Sequence, residues 1–198
     1  PIETEISTFM PEFVKSYALV ENAKNIHDIK PVSTPTIAQL LNHTSGLSYF
    51  FNKDLVAIEY FKRDITTAPN NSNLKDTVNK LSQVPLAFEP GLKWNYSVGI
   101  DVAGRIIEII SGKSLDLFLE DFIFQPLGMS DTFFYLPYEK KERFSDCFFF
   151  DDMENNFRPL EKLYKDFPFN KREVTNFSGG SGLLSTAADY SKFAQLLL

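Results

Sequence analysis

The chain has 198 residues, 43% hydrophobic and 23% charged, with 20 Phe, 8 Tyr and a formal net charge of -6. That balance excludes a disordered or low-complexity chain, and its acidity argues against broad attraction to nucleic acid or to an anionic membrane. No run of about 18 apolar residues marks a membrane span, and no basic start followed by a hydrophobic segment marks a signal peptide, so the compartment is left open.

Residues 2–31 mix charges with isolated apolar side chains, which predicts a covering loop with short helical turns. Thr36-Ile37-Ala38-Gln39 fits a capping box, in which the Thr hydroxyl accepts from an early N–H and the Gln reaches back; a short helix from Ile37 to Asn42 follows. His43-Thr44-Ser45-Gly46-Leu47 ends it, with a glycine able to take positive φ. From Ser48 to Thr67 the apolar spacing is mixed and the helical signal faint. After a polar break at Asn70 to Asn73, Leu74, Val78 and Leu81 recur at helical spacing.

Pro85, Pro90 and Gly91 frame an extended passage that delivers Trp94 and Tyr96 to the next helix. There Val98, Val102, Ile106, Ile109 and Ile110 form an apolar face that stops at Gly112. Ser114 is set to cap a helix that packs Leu115, Phe118, Leu119 and Phe122 inward, until Pro126 and Gly128 stop it. Short strands and loops are expected from Ser130 to Asn176. The Phe148-Phe149-Phe150 cluster there requires cover from this chain or from a portion outside it. The lone Cys147 excludes an internal disulfide and is expected as a buried or partly buried structural thiol. Ser178-Gly179-Gly180-Ser181-Gly182 is a tight bend. Thr186 and Asp189 then supply a second capping box for a helix carrying Tyr190, Phe193, Ala194 and Leu197. The apolar period is still running at Leu198, so the chain is expected to be cut there.

Few residues offer chemistry. His27 and His43 are the only histidines and have no partner at a metal-ligand spacing, so no metal site is expected. His43 serves either as a base or as a loop anchor, and its neighbours favour the anchor. The Ser178–Gly182 segment lacks the phosphate-loop and dinucleotide patterns; it is read as a structural bend, a pocket wall, or both. Ser72 and Lys75 have serine–lysine spacing, but Ser72 sits where a cap or exposed turn residue belongs. Tyr96 is held by Trp94, the prolines and the adjoining helix, and a rigidly held phenol suits general-base catalysis. A free phenol ionises near pH 10, about three units above neutrality, and needs a nearby cation to act as phenolate. On the residues alone, Tyr96 stays open between a base and a core tyrosine with its hydroxyl satisfied, the second being favoured.

Three stretches carry a more specific signal: TIAQLLNHTSGLSYF from Thr36 to Phe50, PLAFEPGLKWNYSVGIDVAGRIIEIISGKSLDLFLEDFIFQPLGMSDTFF from Pro85 to Phe134, and SGGSGLLSTAADYSKFAQLLL from Ser178 to Leu198. In content and order they resemble the serine hydrolases that include class C β-lactamases, penicillin-binding D-alanyl-D-alanine peptidases and related esterases. The resemblance implies an α+β parent fold of the β-lactamase/transpeptidase type. Residues 1–198 are its central, mainly helical portion with loops and short strands, incomplete at both ends; the missing N- and C-terminal portions supply most of the sheet.

The resemblance further implies acyl transfer to water from an ester, amide or lactam carbonyl, with a small-molecule or peptide-like substrate and no cofactor. Tyr96 matches the family's general-base tyrosine. The family nucleophile belongs to a Ser-x-x-Lys motif upstream of the His43 segment, so its role does not pass to Ser72 and Lys75. Val98 stands where many members carry Asn, which leans the reading from lactams toward an esterase-like or other peptidase-like member; Ser97 reads as a helix cap. The alternative is a non-catalytic binding or regulatory relative that keeps the helical region.

Overall fold

Thr36 accepts from the Gln39 N–H at 3.3 Å while Gln39 Oε1 accepts from the Thr36 N–H at 2.9 Å, so the predicted capping box is complete and starts α1 (Ile37–Leu41). The computed structural model describes residues 1–67, 72–159 and 173–198. Part of the expected polar break and residues 160–172 of the expected strand-and-loop passage lie outside the described residues.

The opening segment has the short helical turns expected of it, but a strand pair replaces part of the expected loop. Two 3-10 turns, Ile6–Thr8 and Pro11–Phe13, lead into β1 (Ser16–Leu19), which pairs antiparallel with β2 (Ile29–Val32), Ser16 opposite Val32 and Leu19 opposite Ile29. Each strand has four residues and β2 contains Pro31, so neither is long enough to print a period of two. The other side of β1 is taken by Leu86, whose N–H donates to the Tyr17 carbonyl and whose carbonyl accepts from the Leu19 N–H.

Asp54 caps α2 (Leu55–Lys62), a helix with only a faint signal in the sequence, through the Ala57 N–H. Asn73 caps α3 (Leu74–Leu81), so of the two roles expected at Ser72, cap or exposed turn residue, the cap falls one residue later. The long helix α4 (Gly99–Ser111) ends on Gly112 at φ 68°, as its spacing predicts. It packs against α1 and α3, and the close approach to α1 needs Gly99, because a Cβ there would meet the Leu40 carbonyl. Its buried face holds Asp101, Val102, Gly104 and Ile106, while Ile109 and Ile110 face solvent. The apolar face is thus rotated toward the N-terminal end, and a carboxylate lies on it.

Helix α5 (Leu115–Leu119) runs through a π-helical turn, Glu120–Phe124, into α6 (Gln125–Leu127), stopped by Gly128 at φ 65°. Ser114 stands at the N-cap of α5, as expected, but its hydroxyl makes no capping bond and donates instead to Asp116 Oδ1 at 2.5 Å. Pro126 sits inside α6 instead of ending the run, and Phe122, expected inward, is exposed with Lys113 over its ring. The extra residue of a π turn shifts helical phase, which is why the inward period fails after Leu119. A 3-10 turn (Tyr138–Arg143) precedes the hairpin of β3 (Phe148–Asp151) and β4 (Asn156–Pro159). Phe148, Phe149 and Phe150 remain exposed among the described residues, and Cys147 beside them is exposed too, contrary to the buried thiol expected. The core gathers Ile6, Leu40, Val56, Tyr60, Val78 and Val102 from both sides of α4.

The last helix, α7 (Ala187–Leu196), is capped by Thr186 through the Asp189 N–H, as predicted. Asp189 does more than complete that turn. Its Oδ2 accepts from the Asp131 N–H at 2.6 Å and the Thr132 hydroxyl at 3.0 Å, and its Oδ1 pairs with Lys192 at 2.9 Å. Asp131 in turn is clasped by Lys140 at 2.7 Å and Arg143 at 2.8 Å. The Arg143 guanidinium, then Lys140, hold the Asp131 carboxyl well below the usual range. For Asp189, burial pushes upward, but Lys192, the Asp131 N–H and Thr132 outweigh it and the net shift is downward.

Both folded-state values lie below the unfolded value of about 3.9, so their contribution is complete above about pH 4 and is lost as the pH falls through the folded values. Amide hydrogen exchange across α7 is therefore expected to accelerate below about pH 4 more than exchange across α4 does, after correction for intrinsic rates. Equal acceleration in both helices would contradict this.

Candidate active site

The segment containing Tyr96 is stitched to the His43–Asn52 loop by a run of backbone and side-chain hydrogen bonds. Gly91 N–H donates to the Thr44 carbonyl at 2.8 Å, Asn95 N–H to the His43 carbonyl at 2.9 Å, and Val98 N–H to the Ser48 carbonyl at 3.1 Å. Asn95 Nδ2 reaches the Leu47 carbonyl at 3.2 Å, and Asn52 Nδ2 reaches the Tyr96 carbonyl itself at 3.0 Å. Asn52 also donates to Ser48 Oγ at 3.1 Å, whose own hydroxyl donates to Asp54 at 2.6 Å. The backbone of Tyr96 is therefore fixed from the α2 cap on one side and from α4 on the other.

His43, at φ 59°, is the pivot of this seam. Its Nδ1 lies 3.3 Å from both the Ser97 N–H and the Ser97 hydroxyl, and Ser97 Oγ accepts from the Gly99 N–H at 3.3 Å. Burial pushes the imidazole pKa down, and a neutral ring that accepts at Nδ1 suits these donors. His43 is the loop anchor, as its sequence context favours; the N-cap of α4 is Val98, so Ser97, expected as the cap, stands one residue before it and reaches the helix only through the Gly99 N–H.

Around this seam the rings form an array. Tyr49 stacks on Tyr96 with centroids 5.5 Å apart and planes 13° apart, and on Phe51 at 4.5 Å and 22°. His43 packs on another side of Tyr96 at 4.7 Å. Tyr96 is nevertheless 42% exposed, which removes the core-tyrosine reading, while its main-chain carbonyl is held by Asn52. Trp94 beside it is exposed as well.

Ser178–Gly182 is packed onto the first turn of α4, with Ser178 Oγ donating to Asp101 Oδ1 at 2.5 Å. Ser72 and Lys75 come to nothing as a catalytic pair: the Ser72 hydroxyl donates to the Asn73 carbonyl at 3.3 Å, its own carbonyl accepts from Thr175, and Lys75 is exposed. Sequence reasoning missed Tyr49, Asn52 and Asp101 as residues that shape the site. Tyr49 had a signal, since it stands three residues after the His43-Thr44-Ser45-Gly46 turn; Asn52 and Asp101 had none without the fold. No group of three or more metal-ligating side chains occurs among the described residues.

A helical region that presents a tyrosine beside a His-Thr-Ser-Gly turn, backed by a glycine-rich bend, defines a recognisable class. Residues 30–198 match the Beta-lactamase family model, and the chain belongs to that family, with its α+β fold of the β-lactamase/transpeptidase type. In sequence it is 32% identical over 136 residues to the lovastatin esterase of Penicillium rubens, covering 68% of this chain and 33% of that one. It is 35% identical over 101 residues to esterase EstB of Burkholderia gladioli, covering 50% and 26%. Among solved structures, a LovD6 mutant of simvastatin synthase from Aspergillus terreus aligns at a TM-score of 0.75 and 25% identity, over 99% of this chain and 45% of that one. EstCE1, a hydrolase with promiscuous acyltransferase activity, aligns at 0.73 and 24% over 100% and 52%, a likeness of fold. The chain spans about half, or less, of the length of these relatives.

Proposed function

We propose that these residues are the central, mostly helical portion of a serine-dependent acyl hydrolase, with Tyr96 as general base and the nucleophile supplied by sequence outside the chain. The observation that carries this reading is an exposed tyrosine ring on a backbone hydrogen-bonded from both flanks, a combination that catalysis needs and simple core packing does not. His43, neutral beside it, adds no charge, so the cation that makes a phenol basic is assigned to the lysine of the family's Ser-x-x-Lys motif.

In this scheme the serine oxygen attacks the carbonyl carbon as its proton passes to the Tyr96–lysine pair. The oxyanion is stabilised by backbone N–H groups, and the pair returns the proton to the departing alkoxide. Water then attacks the acyl-enzyme and loses its proton to the same pair, which passes it to the serine oxygen as the acyl–oxygen bond breaks, releasing the acid and the free serine. Val98 in place of the amide side chain common in the family, together with relatives named as esterases, supports an ester in preference to a lactam.

The test is turnover by the full-length protein of p-nitrophenyl butyrate and of the cephalosporin nitrocefin. The expected result is a kcat/KM at least about tenfold higher for the ester. Turnover of neither, by folded protein, would favour the non-catalytic relative.

A further inference from the structure

The turn after Ser48 carries aromatic rings where folding has no need of them. The Asn52 N–H donates to the Tyr49 carbonyl at 2.9 Å, which closes a turn with Phe50 and Phe51 at its two central positions. Such positions ordinarily go to Gly, Pro, Asn, Asp or Ser. Here both phenylalanines are exposed, Phe51 by 58%. Two exposed rings at a turn add little to the core, and loops carried on a fixed scaffold are where recognition concentrates.

The turn is tied to the Tyr96 segment by Asn52, and its rings continue the surface that Tyr96 begins. Phe51 stacks on Tyr49 with planes 22° apart, Tyr49 on Tyr96 with planes 13° apart, and Phe51 lies 19° from the plane of Tyr96 with centroids 6.1 Å apart. Tyr49 is buried whereas Phe51 and Tyr96 are exposed, so two nearly parallel rings backed by a third present aromatic surface to solvent. Phe50 meets Phe51 edge-on at 5.4 Å, and the exposed Trp94 stands 6.4 Å from Tyr96. Near-parallel planes suit a flat aromatic group, which stacks or packs edge-on with centroids about 4.5–7 Å away. In the acyl-transfer scheme Tyr96 returns a proton to the departing alkoxide, so the substituent on that oxygen is the part of the substrate brought nearest these rings.

We infer that Phe50, Phe51 and Trp94 form, with Tyr96, a subsite for the alcohol portion of the ester, and that this portion is aromatic. The inference rests on the reading of Tyr96 as general base. Stacking tolerates different ring substituents, so the subsite selects a flat shape and not one particular alcohol.

The experiment uses the full-length protein with ethyl butyrate, 2-naphthylmethyl butyrate and ethyl 2-naphthylacetate. The first two give the same butyryl-enzyme from alcohols of similar acidity, so the ratio of their kcat/KM values reads recognition of the alcohol portion during acylation. The wild type is expected to favour the naphthylmethyl ester at least about tenfold. Phe51→Ala and Phe51→Leu should each lower that ratio about threefold to tenfold, whereas Phe51→Tyr, which keeps the flat ring, should retain it. Phe61→Ala, which removes an exposed ring from α2, should leave the ratio as it is. A wild-type ratio near one, or an unchanged ratio in Phe51→Ala, would overturn the inference. A fall in the thermal midpoint of Phe51→Ala with equal losses on both butyrates would also overturn it, because that marks a ring covered by the rest of the protein. A preference for ethyl 2-naphthylacetate over ethyl butyrate that Phe51→Ala abolishes would place the rings on the acyl side, again overturning it. Tyr96→Phe is run alongside on ethyl butyrate. If it is slow while the ratios fail, this inference falls and the general-base reading stands; if it keeps the wild-type rate, both fall.

Discussion

Tyr96→Phe is expected to reduce kcat on an ester by about 10²–10⁴-fold, the range in which a positioned general base contributes, without lowering the thermal midpoint. The substitution removes one oxygen. The ring contacts with Tyr49, Phe51 and His43 are made by carbon faces, and the Asn52 bond is accepted by the main-chain carbonyl, so the whole seam survives. A tyrosine present only for packing would tolerate Phe with little change in rate. The comparison is clean because structure and chemistry are separated in a single atom, and steady-state kinetics with a melting curve on the same sample reads both.

Gly46→Ala should give the largest loss of stability among the glycine substitutions that bear on the site. Gly46 has φ 83°, and a Cβ there would run into the Phe88 carbonyl and come to 3.0 Å from Leu86 Cβ. Strain in that backbone region and overpacking each cost about 1–3 kcal/mol, giving about 2–6 kcal/mol together. The neighbouring backbone cannot retreat easily, because the Ala87 N–H donates to the Gly46 carbonyl at 2.7 Å and Leu86 is bonded to β1. At about 2–4 °C per kcal/mol for a chain of this size, the midpoint should fall by roughly 4–24 °C. Gly112→Ala is the internal control. It shares a positive φ of 68° but has nothing within 4 Å of the added Cβ, so it should cost only about 1–2 kcal/mol. Equal midpoints for the two variants would show that the Gly46 turn does not pack as described.

What could be read from the sequence was what short range decides. The Thr36–Gln39 box, the Thr186 cap and the Gly112 stop each depend on residues within one helical turn, and each forms. What escaped depends on chain segments meeting from afar. β1 exists because Ile29–Val32 and Leu86 flank it, and neither is implied by Ser-Tyr-Ala-Leu. Asp189 fits a capping box by spacing, yet its carboxylate is spent on Asp131 and Thr132, more than fifty residues earlier.

The same contrast holds at the site. The His-Thr-Ser-Gly turn and the Trp94–Tyr96 passage were legible as motifs. Whether Tyr96 was buried was not, because its exposure depends on how the Tyr49–Phe51 rings stack from another loop. Asp101 resembles an ordinary acid in the first turn of a helix, which complements the helix dipole at the surface. Only the Ser178–Gly180 loop, nearly eighty residues later, turns it into a buried tie.

The central claim is that the reacting serine lies outside these residues and works with Tyr96. Labelling the full-length protein with a fluorophosphonate and mapping the adduct by mass spectrometry tests it most directly. The account predicts one adduct, on a serine upstream of Pro1 that stands three residues before a lysine, and much slower labelling in Tyr96→Phe. An adduct on Ser72, or on any serine between Pro1 and Leu198, would contradict it.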